Sequence, residues 1–311
     1  MDHNAIGTHS GRLPHLGLLR FTGAEALGFL QGQISNDTDL LTQRRALLCA
    51  VSSPQGRVLA VMTLLPHSTG IVAIVPAELL PSVAAQLRKY VLRSKVRIEE
   101  PAADLTVAGQ HGPQDLQRKG LPVPQEIGAY TEAQGVGIAR LNDAHERYWI
   151  IAAPAALGAP AAGDAAQVEG DWRLADIRAG LPQVYAPSSD VFVAQMLNLD
   201  LLDGISFSKG CYTGQEIIAR TQHLGRIKRR MCRVEITGER SGEKPAIGAT
   251  VRIEDGRSGR LTEIARTANG YEALAVLSLE ATAQGAAGIA ASLLTLPYSS
   301  QPPAARRTPA A

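Results

Sequence analysis

Aromatic residues are scarce in this chain. Phenylalanine, tyrosine and tryptophan together make up 4% of its 311 residues, and the tryptophans are two, Trp149 and Trp172. With 45% hydrophobic residues the core has to be aliphatic and alanine-rich, so each tryptophan is informative by itself. Cysteine is scarcer still: Cys49, Cys211 and Cys232 are odd in number, widely spaced and form no C-x-x-C pair. That pattern builds no disulfide framework and no metal site from cysteine alone, and it points to a reducing compartment. An excess of charge is also missing. A net charge of +2 excludes a protein that coats nucleic acid by bulk electrostatics. No apolar run is long enough to span a bilayer, and the N-terminal M-D-H-N-A-I-G-T-H-S lacks the basic region and apolar stretch of a signal peptide. A soluble, cytoplasmic protein is expected. Neither G-x-G-x-x-G nor G-x-x-x-x-G-K-[ST] occurs, which excludes a Rossmann or P-loop nucleotide site.

What is present divides into segments. The length implies two or three domains. Strands are expected over Leu16–Phe21, Arg45–Ser52, Arg57–Leu65, Gly70–Val75, Lys95–Glu99, Leu105–Gly109, Gly135–Arg140 and Arg147–Ala152. Helices are expected over Ala24–Gln31, Pro81–Val91, Gln114–Arg118 and Asp171–Leu181. Two successive clusters of strands with helices imply α+β lobes, not a doubly wound parallel sheet. Ala152–Ala166 reads as an alanine-rich helix or a linker. Beyond residue 226, short alternating runs with glycine turns imply a small all-β module, and the Pro/Ala/Arg-rich 301–311 is expected to be disordered.

The densest stretch is Phe207 to Arg220, F-S-K-G-C-Y-T-G-Q-E-I-I-A-R. Thr213 and Glu216 have capping-box spacing, which predicts a helix starting near Gly214. Cys211 then stands just before a helix N-terminus, with Lys209 two residues earlier; both features favour a thiolate, the nucleophilic form of cysteine. Gly210 and Gly214 permit a tight turn. The same residues are compatible with a small buried structural cysteine.

Several ordered segments together resemble the YgfZ-type folate-binding proteins, relatives of the aminomethyltransferase (T-protein) of the glycine cleavage system. They are F-S-K-G-C-Y-T-G-Q-E (Phe207–Glu216), L-Q-G-Q-I-S-N-D (Leu30–Asp37), P-Q-G-R (Pro54–Arg57), K-Y-V-L-R-S-K-V (Lys89–Val96), W-R-L-A-D-I-R-A-G-L-P (Trp172–Pro182) and G-R-I-K-R-R (Gly225–Arg230). The resemblance implies two ferredoxin-like α+β lobes of the aminomethyltransferase folate-binding fold plus a small C-terminal β-barrel. The implied division is a two-lobed region over 1–225 with interleaved lobes, the second at roughly 55–150, and a barrel over 226–300. A cleft for tetrahydrofolate is implied, together with a role in making or maintaining iron–sulfur enzymes, including those that thiolate tRNA.

Carried onto this sequence, the functional cysteine of the family is Cys211, with Lys209 beside it and a transient iron contact conceivable at its sulfur; no resident metal is expected. Trp172 is the implied aromatic contact for folate, although its helical spacing with Ile177 also suits plain core packing. Tyr212, Gln215, Glu216, Gln33 and Asn36 are expected to contribute to the folate site, and Arg226 and Lys228 to meet the anionic glutamate tail. A second folate-contacting aromatic, expected on the first strand, falls near Leu16 and is absent. The acidic segment of true T-proteins aligns near Ser68 to Val72, where this chain reads S-T-G-I-V, and their pterin-reading acid falls near Met196, with Asp200 and Asp203 close by. Loss of the acid/base group implies a folate-binding accessory protein rather than an aminomethyltransferase. The alternative is a folate-dependent one-carbon (aminomethyl or methyl) transferase. Iron–sulfur enzymes or assembly proteins are the expected partners; direct tRNA binding through Arg226–Arg230 is the weakest reading.

Overall fold

The computed structural model describes residues 11–101, 104–141, 145–157, 165–223, 225–237, 245–281 and 288–299. The strands in chain order are β1 (Gly11–Arg12), β2 (Leu16–Thr22), β3 (Leu47–Ser52), β4 (Val58–His67), β5 (Gly70–Pro76), β6 (Arg97–Glu99), β7 (Thr106–His111), β8 (Tyr130–Ala133), β9 (Val136–Arg140), β10 (Arg147–Ala152), β11 (Arg229–Thr237), β12 (Thr250–Ile253), β13 (Ser258–Thr267), β14 (Gly270–Ser278) and β15 (Ile289–Leu294). The α-helices are α1 (Ala26–Gln31), α2 (Leu80–Arg88), α3 (Gln114–Arg118), α4 (Ala165–Ala179) and α5 (Gln215–His223).

The strands form two five-stranded sheets, ordered β3-β4-β5-β2-β6 and β1-β7-β10-β9-β8, and a closed barrel, β11-β14-β13-β12-β15. The architecture is α+β with a C-terminal barrel. Both open sheets are antiparallel throughout; in the barrel only β12 and β15 pair in parallel. The boundary between the sheets lies near residue 100, not near 55. Hairpin pairing of β4 and β5 with β3 and β2 draws residues 58–76 into the first sheet, and the second takes its strands from 106–152 together with β1.

β1, β8 and β15 were not foreseen: they span two, four and six residues, and none alternates apolar with polar side chains strongly enough to stand out. Of the Ala152–Ala166 stretch, residues 158–164 lie outside the described residues, as does the 301–311 tail.

Helix α4 ties the three units together. Leu174 and Ile177 enter the core under the first sheet, while Val168 and Trp172 enter the core between the two sheets. Asp176 takes a 2.7 Å hydrogen bond from the fully buried Arg147 of β10. Arg173 reaches Glu263 of β13 at 3.0 Å, and Arg178 reaches Glu272 of β14 at 2.8 Å. Removing one partner of such a buried pair strands the other charge, at a cost of about 3–5 kcal/mol.

Candidate functional site

Three of the segments read from the sequence converge on one point. The β3–β4 hairpin tip, Pro54-Gln55-Gly56, packs against the start of α5. Gly214 has φ +83°, and a Cβ there would stand 2.7 Å from the Ser53 carbonyl oxygen and 3.0 Å from the Gly56 Cα. Gly56 itself has φ +72°, and a Cβ on it would press on Ile217 at 2.7 Å. Only glycine allows the two backbones to meet this closely. On the other side, the loop after α1 is joined by Thr213, whose backbone N–H donates to the Gly32 carbonyl at 3.2 Å.

The Thr213 hydroxyl points to Gln33 Oε1 at 3.4 Å and does not close a capping box with Glu216, whose side chain is exposed. Helix α5 accordingly begins at Gln215, held by the turn geometry of Gly214 and by the Gln215 N–H bond to the Tyr212 carbonyl at 3.1 Å.

Lys209 is buried, and its head group is held by backbone carbonyls. Its ammonium donates to the carbonyls of Gln31 (2.7 Å), Ile34 (3.0 Å) and Asn36 (2.7 Å), which uses all three of its protons. It also lies 5.1 Å from the centre of the Tyr212 ring. Burial draws its pKa down to about 8. Lys209 is thus a clamp that fastens the motif to the loop after α1. Asn36 reinforces the same joint: its side-chain amide donates to Leu48 O (2.8 Å) and Asp203 O (2.6 Å), and its Oδ1 accepts from Asp37 N–H (2.8 Å). Both amide protons are taken, so Asn36 is a frame residue with no donor left for a ligand. The Tyr212 ring is buried, and burial pushes its phenol up to about 12.

Cys211 is exposed between these clamps, while Cys49 is buried and Cys232 half-buried. Burial pushes the Cys49 thiol up to about 12, leaving it inert. Among the described residues no group of three or more His, Cys, Asp or Glu side chains is arranged to hold a metal ion.

Trp172 is not an open stacking platform. It is fully buried in the core shared by the two sheets. One ring face meets Gly109, where any Cβ would overlap the indole; the Arg147 guanidinium stands 4.7 Å from the ring centre and His111 makes an edge contact at 5.4 Å. Its Nε1 is buried without a hydrogen-bond partner among the described residues, so the N–H edge is what it has to offer. Leu16, where an aromatic was looked for, is buried in the same core.

Gln215 is half-buried and Glu216 exposed, both at the start of α5. Arg226 is 82% exposed and pairs with Glu280 at 3.2 Å, and Lys228 is exposed. The basic run is not one surface, because Arg230 is buried with Asp200 in a two-pronged pair of 2.6 and 2.8 Å. That pairing also removes Asp200 as a free reader of a pterin edge.

Two features escaped the sequence reading. Gln195, beside Met196, is fully buried; its amide donates to Ile218 O at 2.7 Å and its Oε1 has no partner among the described residues. Near Ser68, where the hairpin lacks an acid, the second sheet supplies one. Glu132 of β8 accepts from Ser68 N–H at 2.9 Å, from the Ser68 hydroxyl and from the Tyr130 hydroxyl at 3.1 Å, in a cavity of about 390 Å³. Cross-sheet contacts of this kind leave no mark on local sequence.

No protein-family model matches the chain. Curated relatives do. A tRNA-modifying protein YgfZ from Hamiltonella defensa is 32% identical over 237 residues, 72% of this chain and 70% of that protein. One from Yersinia pestis (strain Pestoides F) is 32% identical over 255 residues, covering 79% and 75%, and one from Colwellia psychrerythraea is 30% identical over 226 residues, covering 71% and 70%. The chain belongs to the YgfZ family of tRNA-modifying proteins. Among solved structures, the glycine cleavage system aminomethyltransferase T from Bartonella henselae superposes with a TM-score of 0.66 at 16% identity, over 89% of this chain and 80% of that one. This YgfZ-family chain therefore has an aminomethyltransferase-like fold. No described helix is long and apolar enough to cross a membrane.

Proposed function

We propose that this protein is a folate-binding accessory factor that supports iron–sulfur-dependent enzymes, tRNA-thiolating ones among them, with Cys211 as its working thiol. The observation that carries the reading is the contrast within one motif. Lys209, Thr213 and Gly214 are fastened to two neighbouring loops, while the Cys211 side chain between them faces solvent. A rigid frame around an exposed thiol is what presentation to a partner requires.

Tetrahydrofolate fits the residues in a restricted way. Trp172 Nε1 and Gln195 Oε1 are a buried donor and a buried acceptor without partners among the described residues, the kind of atoms that a pterin edge satisfies. Arg226 and Lys228 are exposed cations suited to the glutamate tail. Bound folate would supply a one-carbon carrier. The chain's own residues hold it and keep the motif in place.

The test is Cys211→Ala in a host strain lacking its own homologue. Loss of cluster-dependent tRNA thiolation is expected; full restoration would remove the cysteine from the function. A second reading, one-carbon transfer, has one observation in its favour: Glu132 places a carboxylate beside Ser68. Turnover of a methylamine donor with tetrahydrofolate, abolished by Glu132→Gln, would establish it; binding without turnover would dispose of it.

A further inference from the structure

The loop that leads into the motif, Leu202 to Ser208, forms one wall of an open groove of about 760 Å³ that the functional reading leaves unused. The opposite walls come from the loop after α1, the entry to β3 and the turn at Ile127. Two of the five large apolar side chains left exposed among the described residues line it: Ile127, 46% exposed, and Phe207, 38% exposed. They come from segments far apart in sequence. Exposed apolar side chains that meet in one concavity mark a surface built to be covered.

The rim has a definite sign. Among the described residues, Asp37, Asp39 and Asp203 line it against one lining cation, Arg45, with Lys209 behind the wall acting on Asp37. The Asp203 residue is exposed, and its carboxylate makes no hydrogen bond or ion pair among the described residues. Such a rim repels phosphate and attracts lysine or arginine. The groove is also tied to the motif, since the Phe207 ring meets His223, the last residue of α5, edge-on at 6.3 Å.

We propose that this groove docks a protein partner, through a segment carrying apolar side chains flanked by lysine or arginine, and so places that partner beside Cys211. The proposal rests on the reading of Cys211 as a thiol presented to another protein, and it names the chemistry by which that protein is recognised.

The probe is a fluorescent peptide in which leucine and phenylalanine alternate with lysine, titrated into the full chain and followed by anisotropy. Saturable binding is expected, weakened about tenfold by the double change Asp39→Asn with Asp203→Asn and about fivefold by Ile127→Ser, because rim charge and apolar contact each carry part of the affinity. Asparagine at 203 tolerates the φ of +54° that Asp203 adopts, so this variant keeps its backbone. A matched peptide with glutamate for lysine should not bind. Equal affinity in wild type and variants, or equal affinity for a single-stranded RNA oligonucleotide, overturns the proposal. So does tighter peptide binding by a chain ending at residue 299, which would make the Arg306-Arg307 tail the occupant. Thiolation in the complemented strain separates the two ideas: a silent Cys211→Ala sinks the functional reading, whereas an inactive Cys211→Ala with unchanged peptide binding in the groove variants sinks only the docking.

Discussion

The Lys209 ammonium and the Asn36 carbonyl oxygen lie 2.7 Å apart, and that bond joins the most reactive-looking segment of the chain to the loop after α1. Two further carbonyls, of Gln31 and Ile34, complete the coordination. Replacing Lys209 by methionine keeps the aliphatic stem but leaves three buried acceptors unmatched. Hydrogen bonds from a charged donor contribute roughly 1.5–3 kcal/mol each, with strong non-additivity. A loss of about 2–4 kcal/mol in urea denaturation is expected. Arginine should not rescue it, because its planar fork cannot reproduce a tripod of donors. A variant as stable as wild type would mean that the clamp is dispensable.

The contact between Gly214 and Gly56 makes a separate prediction. Gly214→Ala must relax a φ of +83° and a Cβ 2.7 Å from Ser53 O. Strain of this kind costs on the order of 1–3 kcal/mol. The hairpin tip and the motif have to separate, so the rate at which a disulfide reagent labels Cys211 should change along with the denaturation midpoint. Stability lost with labelling unchanged would show that the glycine pair supports the fold but not the thiol.

The three cysteines should separate cleanly by reactivity. Cys211 is exposed, Cys232 half-buried with its thiol pushed up by burial, and Cys49 fully enclosed with its thiol at about 12. One thiol per chain is expected to react rapidly in the native state, and Cys211→Ala should abolish that phase. Cys49 should react only when the protein unfolds.

Acid should weaken the fold before the carboxylates titrate. His15 lies between Glu169, 3.8 Å from its Nδ1, and Arg173, and burial followed by the Arg173 charge lowers its pKa to about 3. His67 is lowered by burial as well, against the opposing pull of Glu132. In the unfolded chain both titrate at the ordinary value of about 6.5. Below that pH the unfolded state binds protons that the folded state refuses, so stability falls as pH drops from about 6.5 towards 3. Between pH 7 and pH 5 His15 alone should cost about 2 kcal/mol. Urea denaturation at the two pH values, in wild type and His15→Gln, measures it; the variant should lose about that much of the pH dependence.

How far the sequence carries can be judged from particular residues. Pro54-Gln55-Gly56 announced its hairpin, because turn chemistry is local. Four of the five barrel strands announced themselves by glycine turns and alternation, and the motif at Phe207–Glu216 by its density of special residues. The partners of Lys209 did not, because backbone carbonyls carry no side-chain signature. The Thr213–Glu216 spacing promised a cap, but Gln33, distant in sequence, competes for the same hydroxyl. The boundary between the sheets was misplaced for a similar reason: pairing of β4 and β5 with β2 and β3 is set by register across the sheet, not by composition.

Trp172 shows the same limit and yields the sharpest test of the folate site. Its helical spacing suited both a core residue and a ligand contact, and the choice turns on Gly109, which leaves room for the indole against the second sheet. Truncation to alanine would open a large cavity and cost about 3–5 kcal/mol, so weakened folate binding in that variant would report only on folding. Trp172→Phe keeps a ring and removes the unpartnered Nε1–H. If that N–H and Gln195 Oε1 read the pterin, Trp172→Phe should weaken tetrahydrofolate binding by about 1–2 kcal/mol, roughly five- to thirtyfold, by calorimetry. The urea midpoint should move far less than in Trp172→Ala. Gln195→Met should weaken binding similarly but also lower stability, because it gives up the 2.7 Å bond to Ile218 O. An unchanged affinity in Trp172→Phe would leave Trp172 a core residue alone and shift the search for the folate contacts to Tyr212, Gln215 and the cations beyond α5.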